Sequence, residues 1–265
     1  HIVLQRVIVR MLYDGAFRSA VYADATAALS DVSVTEEEAG WLTALDPRAY
    51  ATDPHVRGRA LHGLLSEYSV SGAVAMRAGM DLDAFFSSDV FHQCIQDGHS
   101  LAIRFGVWLN ERTLSGGDRG GLARIEAGMA SLRRGEGSTS TASVTLANHL
   151  RVVTVPQGTL NHFQAALVGM QAQNADPATV ALDTRFPVPL VQLNANELEI
   201  CLLESTPTGI GAEVLPDGLA ELLQQASNGT TQPSLIATLV KHDMDAVEGQ
   251  EILDGLVQDG LLNRT

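Results

Sequence analysis

The residue types best suited to chemistry in this chain of 265 residues stand together at His92-Gln-Cys94 and His99. Imidazole and thiolate are metal ligands, and a closed structural zinc site takes four of them. Cys94 and His99 are five apart, off a common face on a regular helix, and Gly98 is expected to end the helix between them. A stand-alone metalloenzyme built on His92, Cys94 and His99 is therefore the alternative reading, and it needs a further ligand from elsewhere in the chain. His55 and His62 lie seven apart on one helical face, with no carboxylate at ligand spacing, and His149 and His162 have no sequence partner. No G-x-S-x-G, H-E-x-x-H, G-x-G-x-x-G after a strand, or P-loop occurs. Gly116-Gly117 and Gly120-Gly121 lack the strand–helix context of a phosphate loop and read as loop. Cys94 and Cys201, far apart in the sequence, are expected to be buried free thiols. No catalytic residue, metal or cofactor is assigned to this chain on these grounds.

Charge narrows the partners. From Val191 onward, Lys241 and Arg264 face twelve acidic residues, so this segment holds ten of the fourteen net negative charges. Nucleic-acid binding rests on neutralising phosphates with Lys and Arg, and such a surface opposes it, which leaves a winged-helix transcriptional regulator as the less favoured further alternative. A partner with a basic face is favoured instead. No apolar run reaches the length of a membrane span. The residues after His1 show no basic stretch followed by an apolar run, so no secretion signal and a cytoplasmic location are expected.

The elements that must position these residues follow from periodicity. Val3, Leu4, Val7, Ile8, Met11 and Leu12 recur at helical spacing, and Phe17, Val21 and Tyr22 extend the pattern to Asp24. Thr35 and Glu38 form a capping box before a face of Trp41, Leu42 and Leu45. Asp46-Pro47 and Asp53-Pro54 each place a cap before a proline at the first helical position. Further helices are expected around Leu61 and Leu64, around Phe85, Phe86, Phe91 and Ile95, and over Leu101–Leu109, with one more over Leu122–Arg134. Residues 135–142 read as a mobile linker. Leu150–Val155 is a β-branched strand, Leu160–Ala172 a helix, and the prolines at 177, 187 and 189 predict an irregular stretch.

The last third reads as strands followed by three helices. In Glu197–Glu204, Leu198, Ile200 and Leu202 alternate with Glu197, Glu199 and Cys201, and the alternation slips at Leu203. Ala212–Leu215 is a second, short strand, expected to pair antiparallel with the first and to leave one edge open. Leu219, Leu222 and Leu223 predict one helix, Ile236, Leu239 and Val240 a second, and Ile252, Leu253, Leu256 and Val257 a third that Gly260 stops. The fold class is α+β: an N-terminal all-helical bundle over 1–134, a linker and strand–helix connection over 135–190, and a small winged-helix-like domain over 191–265.

The stretch LPDGLAELLQQASNGTTQPSLIATLV with EGQEILDGLVQDGLLNR resembles the PqqD-like RiPP recognition element, which captures the leaders of ribosomally made, modified peptides. The N-terminal stretch VLQRVIVRMLYDGAF, with YADATAALSDVSVTEEEAGWLTALDPRAY and DAFFSSDVFH, is similar to partner subunits of multinuclear non-haem iron-dependent oxidases, including the partner type of 3-thiaglutamate biosynthesis. The resemblance implies a non-catalytic subunit that binds the leader of a ribosomal precursor peptide. It would present the peptide's cysteine to a TIM-barrel oxidase in a heterodimer, with the iron in the oxidase. It implies that the peptide adds as a strand, contacting Glu199, Cys201, Leu203, Glu213, Val214 and Leu215, with Ile252, Leu256 and Asp259 of the last helix as the other wall. It places the oxidase interface on the apolar residues Phe85, Phe86, Phe91 and Trp108.

Overall fold

The computed structural model describes residues 2–51, 53, 55–114, 120–135, 142–185, 187, 194–242 and 244–264. In chain order these form α1 (Ile2–Tyr13), α2 (Gly15–Ala23), α3 (Ala25–Ala28), α4 (Glu36–Ala44), α5 (Val56–Leu65), α6 (Ser69–Arg77), α7 (Asp89–Asp97), α8 (Leu101–Leu114) and α9 (Gly120–Arg133). They continue with β1 (Val144–Leu146), β2 (Leu150–Gln157), α10 (Thr159–Gln171), α11 (Pro177–Leu182), β3 (Asn194–Thr206), β4 (Gly209–Val214), α12 (Asp217–Ser227), α13 (Gln232–Lys241), α14 (Ala246–Gln258) and β5 (Leu262–Arg264). The chain is of mixed α+β type. Among the described residues no helix is long and apolar enough to cross a membrane.

The chain divides into two compact units, and the division differs from the expected one. Residues 1–109 and 174–186 form the first; 110–173 and 187–265 form the second. The boundary falls inside α8, and α9, β2 and α10 join the C-terminal residues instead of serving as the end of the bundle and a connection. The reason is pairing: β2 hydrogen-bonds to β3 over Leu150–Gln157, so the β-branched strand is one third of the main sheet. Pro177 likewise opens α11, capped by Asp176, where the sequence suggested irregular backbone. The expected linker and the first glycine pair overlap residues 136–141 and 115–119, which lie outside the described residues, whereas Gly120 and Gly121 are helical in α9.

The first unit is closed by aromatic packing. Phe85 sits 5.1 Å from Phe105, 5.5 Å from Phe86 and Trp108, and 5.6 Å from Phe91, centroid to centroid. Such edge-to-face pairs add to the stabilisation from burial, about 0.5–1.5 kcal/mol each. Tyr13 of α1 stacks on Phe86 at 5.3 Å. Gly106 of α8 permits this packing, because a Cβ there would lie 2.4 Å from the Tyr68 hydroxyl. A second core in this unit joins Val7 and Met11 of α1 to Phe17, Val21, Leu29, Leu42 and Tyr50. The capping box forms as read: Thr35 Oγ1 accepts from the Glu38 amide at 3.2 Å and Glu38 Oε2 from the Thr35 amide at 2.9 Å. Trp41, expected to be buried, is 51% exposed, because α4 presents Leu42 inward instead.

The second unit is a three-stranded antiparallel sheet, order β2-β3-β4, with a separate β1-β5 ribbon. The register pairs Val153 with Cys201 and Cys201 with Val214. One face therefore carries Val153, Val155, Cys201 and Leu203, and the other Leu150, Val152, Ile200, Leu202 and Leu215. The first face lies under α9, where a Cβ on Gly128 would approach Leu203 Cδ1 to 2.5 Å. The second packs with α12, α13 and α14 in an aliphatic core of Leu150, Leu202, Leu215, Leu223, Leu235 and Leu253. Helices on both faces explain why Leu202 and Leu203 are both apolar. The break in alternation marks a strand buried on two sides, with no change of register.

Candidate functional site

β4 is the last strand of the sheet, and its outer side meets no strand among the described residues. Which backbone groups it offers follows from the ladder. The Leu215 amide donates to the Ile200 carbonyl at 2.8 Å, so the pairs Leu215/Ile200, Glu213/Leu202 and Gly211/Glu204 exchange hydrogen bonds with β3. Ile210, Ala212 and Val214 then point their N–H and C=O groups outward. The Ala212 carbonyl accepts from Gln164 Nε2 of α10 at 3.3 Å, which agrees with that assignment. Glu213, expected on the edge, has its amide turned toward β3.

The opposite edge, β2, is more fully occupied. By the same reasoning, the Ser205 amide on the His149 carbonyl at 2.8 Å turns Leu150, Val152 and Thr154 outward. Arg124 Nη1 donates to the Thr154 carbonyl at 3.0 Å, and Arg151 Nη1 to the Leu150 carbonyl at 2.8 Å. Charged donors hold these carbonyls more strongly than an amide does.

At the Val214 end of β4 the sheet opens into a groove of about 270 Å³. Its apolar lining is Leu198, Ile200, Val214, Leu215 and Ala220, and its polar rim includes Asp217, Glu221 and Gln224 of α12. Leu198 is 65% exposed, so the groove leaves an apolar side chain open to solvent, while Val214, 48% exposed, pairs with Cys201 and borders the groove from the other face of the strand. Two fixed contacts hold the rim: Gln224 Nε2 donates to Thr154 Oγ1 at 3.0 Å, and Glu221 Oε2 lies 3.0 Å from His242 Nε2. Pro216 caps α12 with extended backbone, which starts the helix where it overhangs the strand ends.

The structure brings only part of the expected peptide contacts to this place. Val214 and Leu215 line the groove, and Glu213 is exposed beside it. Cys201 and Leu203 are fully buried beneath α9, so neither side chain is available to a peptide. Burial raises the Cys201 thiol to about 12, with nearby Glu199 adding to the shift, which keeps it protonated and unreactive. Glu199 is committed elsewhere. Its Oε2 accepts from the Gly158 amide at 3.0 Å and its Oε1 from the Leu160 amide at 2.8 Å, capping α10, whose own cap residue Gly158 has no side chain to do so. Ile252 and Leu256 are half-buried against the aliphatic core, and Asp259 is the exposed C-cap of α14; none of the three lines the groove, whose helical wall is α12. Leu198 is legible from the strand alternation, but Asp217 and Glu221 gain their place only through the packing of α12 on the sheet.

The expected oxidase-facing aromatics are also relocated. Phe85, Phe86 and Phe91 are completely buried and Trp108 nearly so, inside the aromatic core of the first unit. They leave no surface for a partner to cover without opening that core. The exposed apolar residues of this unit are instead Ile2, Trp41, Leu45, Val107 and Leu182.

His92, Cys94 and His99 do not converge. The Cys94 thiol donates to the His99 carbonyl at 3.2 Å, His92 is buried with Nε2 3.2 Å from Asp14 Oδ2, and the His99 ring lies 3.8 Å from Asp97 at the surface. Burial raises the Cys94 thiol. Among the described residues no group of three or more His, Cys, Asp or Glu is arranged to hold a metal ion. His62, without a carboxylate in its own helix, is 3.0 Å from Asp176 at the cap of α11. No protein family, no curated protein and no solved structure matches the chain.

Proposed function

We propose that this chain is a non-catalytic peptide-binding subunit, which captures an extended segment of a ribosomal precursor peptide along β4 and delivers it to an iron-dependent oxidase. The observation that carries the reading is the open β4 edge beside an uncovered apolar groove. An exposed strand with unpaired groups invites another strand unless it is blocked. Ile210, Ala212 and Val214 can pair with an incoming backbone, and the groove receives alternate side chains of the added strand. Three strands followed by α12, α13 and α14 are consistent with a winged-helix recognition element. The acidic rim of Asp217 and Glu221, with Glu213 exposed beside it, favours a leader with basic residues, so binding weakens as salt rises. Iron and the reacting groups belong, in this proposal, to the oxidase, which docks on the helical unit through exposed residues such as Trp41 and Leu45.

The test is titration of labelled leader peptides, taken from reading frames next to the gene, against wild type and Val214→Pro. The substitution deletes an outward N–H while keeping the ladder to β3. At least about tenfold weaker binding is expected from the lost hydrogen bond and the local distortion. Glu213→Pro breaks the β3–β4 ladder itself and is the control for a damaged sheet. Undiminished affinity in Val214→Pro, with the fold intact, places the peptide elsewhere. Co-purification of the chain with the oxidase tests the second half of the proposal.

A further inference from the structure

The first unit contains a cavity of about 140 Å³ whose walls do not fit a simple core. α1 turns Val3, Arg6, Val7 and Arg10 toward it, the i, i+3, i+4, i+7 stripe that an amphipathic helix normally fills with apolar residues. α7 adds His92, Ile95 and Gln96, and Phe17 and Val32 complete the apolar wall. Two arginines thus occupy inward positions on a helix, and no ion pair joins either to a carboxylate among the described residues.

Of the neighbouring acids, Asp14 is already placed. Asp14 uses Oδ1 to cap α2, accepting from the Ala16 amide at 3.0 Å and the Phe17 amide at 3.1 Å. Its Oδ2 lies 3.2 Å from His92 Nε2, without the alignment of a hydrogen bond. Asp31 is exposed at the cavity's edge, and Asp89 acts on Arg10 only at a distance. Arg10 is held by stacking, its guanidinium carbon 3.7 Å above the Phe17 ring centroid, and its buried Nε has no hydrogen-bond partner among the described residues. His92 is 7% exposed, and its Nδ1 also has none. The buried Arg10 Nε is a donor without an acceptor among the described residues, and since such groups are nearly always satisfied it points to a missing ligand.

We propose that this cavity binds a small organic carboxylate, with the acid group on Arg6 and Arg10 and a short branched or cyclic apolar body against Val3, Val7, Phe17, Val32 and Ile95. Arginine forks match carboxylates in two-point hydrogen bonds. An apolar cavity of about 150 Å³ accepts benzene, so a ligand of similar bulk fits the space. Inorganic phosphate would satisfy the arginines and leave five apolar residues facing water. The same chemistry is offered by a free short-chain acid or by the C-terminal residue of a peptide. The site is independent of the β4 edge and stands or falls apart from it.

Calorimetric titration of the full chain tests the proposal with four probes: 3-methylbutanoate, its neutral amide, N-acetylalanine as a peptide terminus, and inorganic phosphate. Saturable binding of at least one carboxylate is expected, with the amide and phosphate silent. Arg10→Gln is expected to weaken it at least about tenfold by removing a charged fork, and Arg6→Gln provides the same test should Arg10→Gln fail to fold. Tighter binding of 3-methylbutanoate identifies a free acid, and tighter binding of N-acetylalanine a chain terminus. No saturable binding of either carboxylate, amide binding equal to the acid, phosphate binding alone, or carboxylate binding unchanged in a folded arginine variant overturns the proposal.

Discussion

The two units are built from different materials. Both tryptophans and all four tyrosines fall in the first unit, and Phe163 is the one Phe, Tyr or Trp of the second. The first unit seals its aromatics into an interlocked cluster around Phe85. The second fills its core with leucines and leaves Leu198 and Val214 uncovered at a strand end. Large apolar residues in a sequence therefore do not by themselves mark exposed surface. In this chain the aromatic run is structural, and the open apolar surface beside a free backbone edge is aliphatic.

The sharpest break of this contrast is Phe85→Ala. Removing a fully buried ring is expected to destabilise the first unit by about 3–5 kcal/mol. Tryptophan fluorescence reads it cleanly, because Trp41 and Trp108 both lie in that unit. Leu223→Ala, the aliphatic counterpart, is expected to cost about 2–5 kcal/mol, toward the lower end where neighbouring leucines relax into the space. It should appear as faster amide exchange in α12 and β3, with the fluorescence transition unchanged if the units unfold independently.

Glu199→Ala is smaller, about 1–2 kcal/mol, because it deletes a cap and leaves the Gly158 and Leu160 amides unpaired. Exchange of those two amides should rise before that of β4. The same substitution leaves peptide affinity at β4 nearly unchanged if Glu199 serves only α10.

Acidification sharpens the comparison further. Burial, reinforced by Arg10, lowers the pKa of His92 below its ordinary 6.5 despite the opposing pull of Asp14. The unfolded chain then binds the proton more readily than the folded one, so stability rises with pH in this range. The first unit is expected to lose stability as pH falls below 6.5, and His92→Gln should flatten the dependence, as read from urea midpoints at stepped pH. The smallest expected effect is Leu198→Ser, within about 0.5 kcal/mol for an exposed position, yet it should weaken peptide binding at the groove. A large loss of stability would show that Leu198 belongs to the core.

Much of this architecture was legible in local pattern. The Thr35–Glu38 capping box, the stop at Gly260 and the alternation of β3 all follow from short-range rules, because caps and pleats are set by residues a few positions apart. Burial on both sides was not. Nothing near Cys201 or Leu203 announces that α9, some seventy residues earlier, covers that face, or that Glu199 closes a helix forty residues away. The aromatic spacing of Phe85, Phe86 and Phe91 predicted apolar packing but could not say whether the packing was internal. By itself the sequence determined element types, caps, the acidic C-terminal charge and the apolar inventory, since these depend on local geometry and composition. Tertiary structure alone decided which strand edge meets no other strand among the described residues, which helix walled the groove and which arginines turned inward, since each depends on contacts between distant segments.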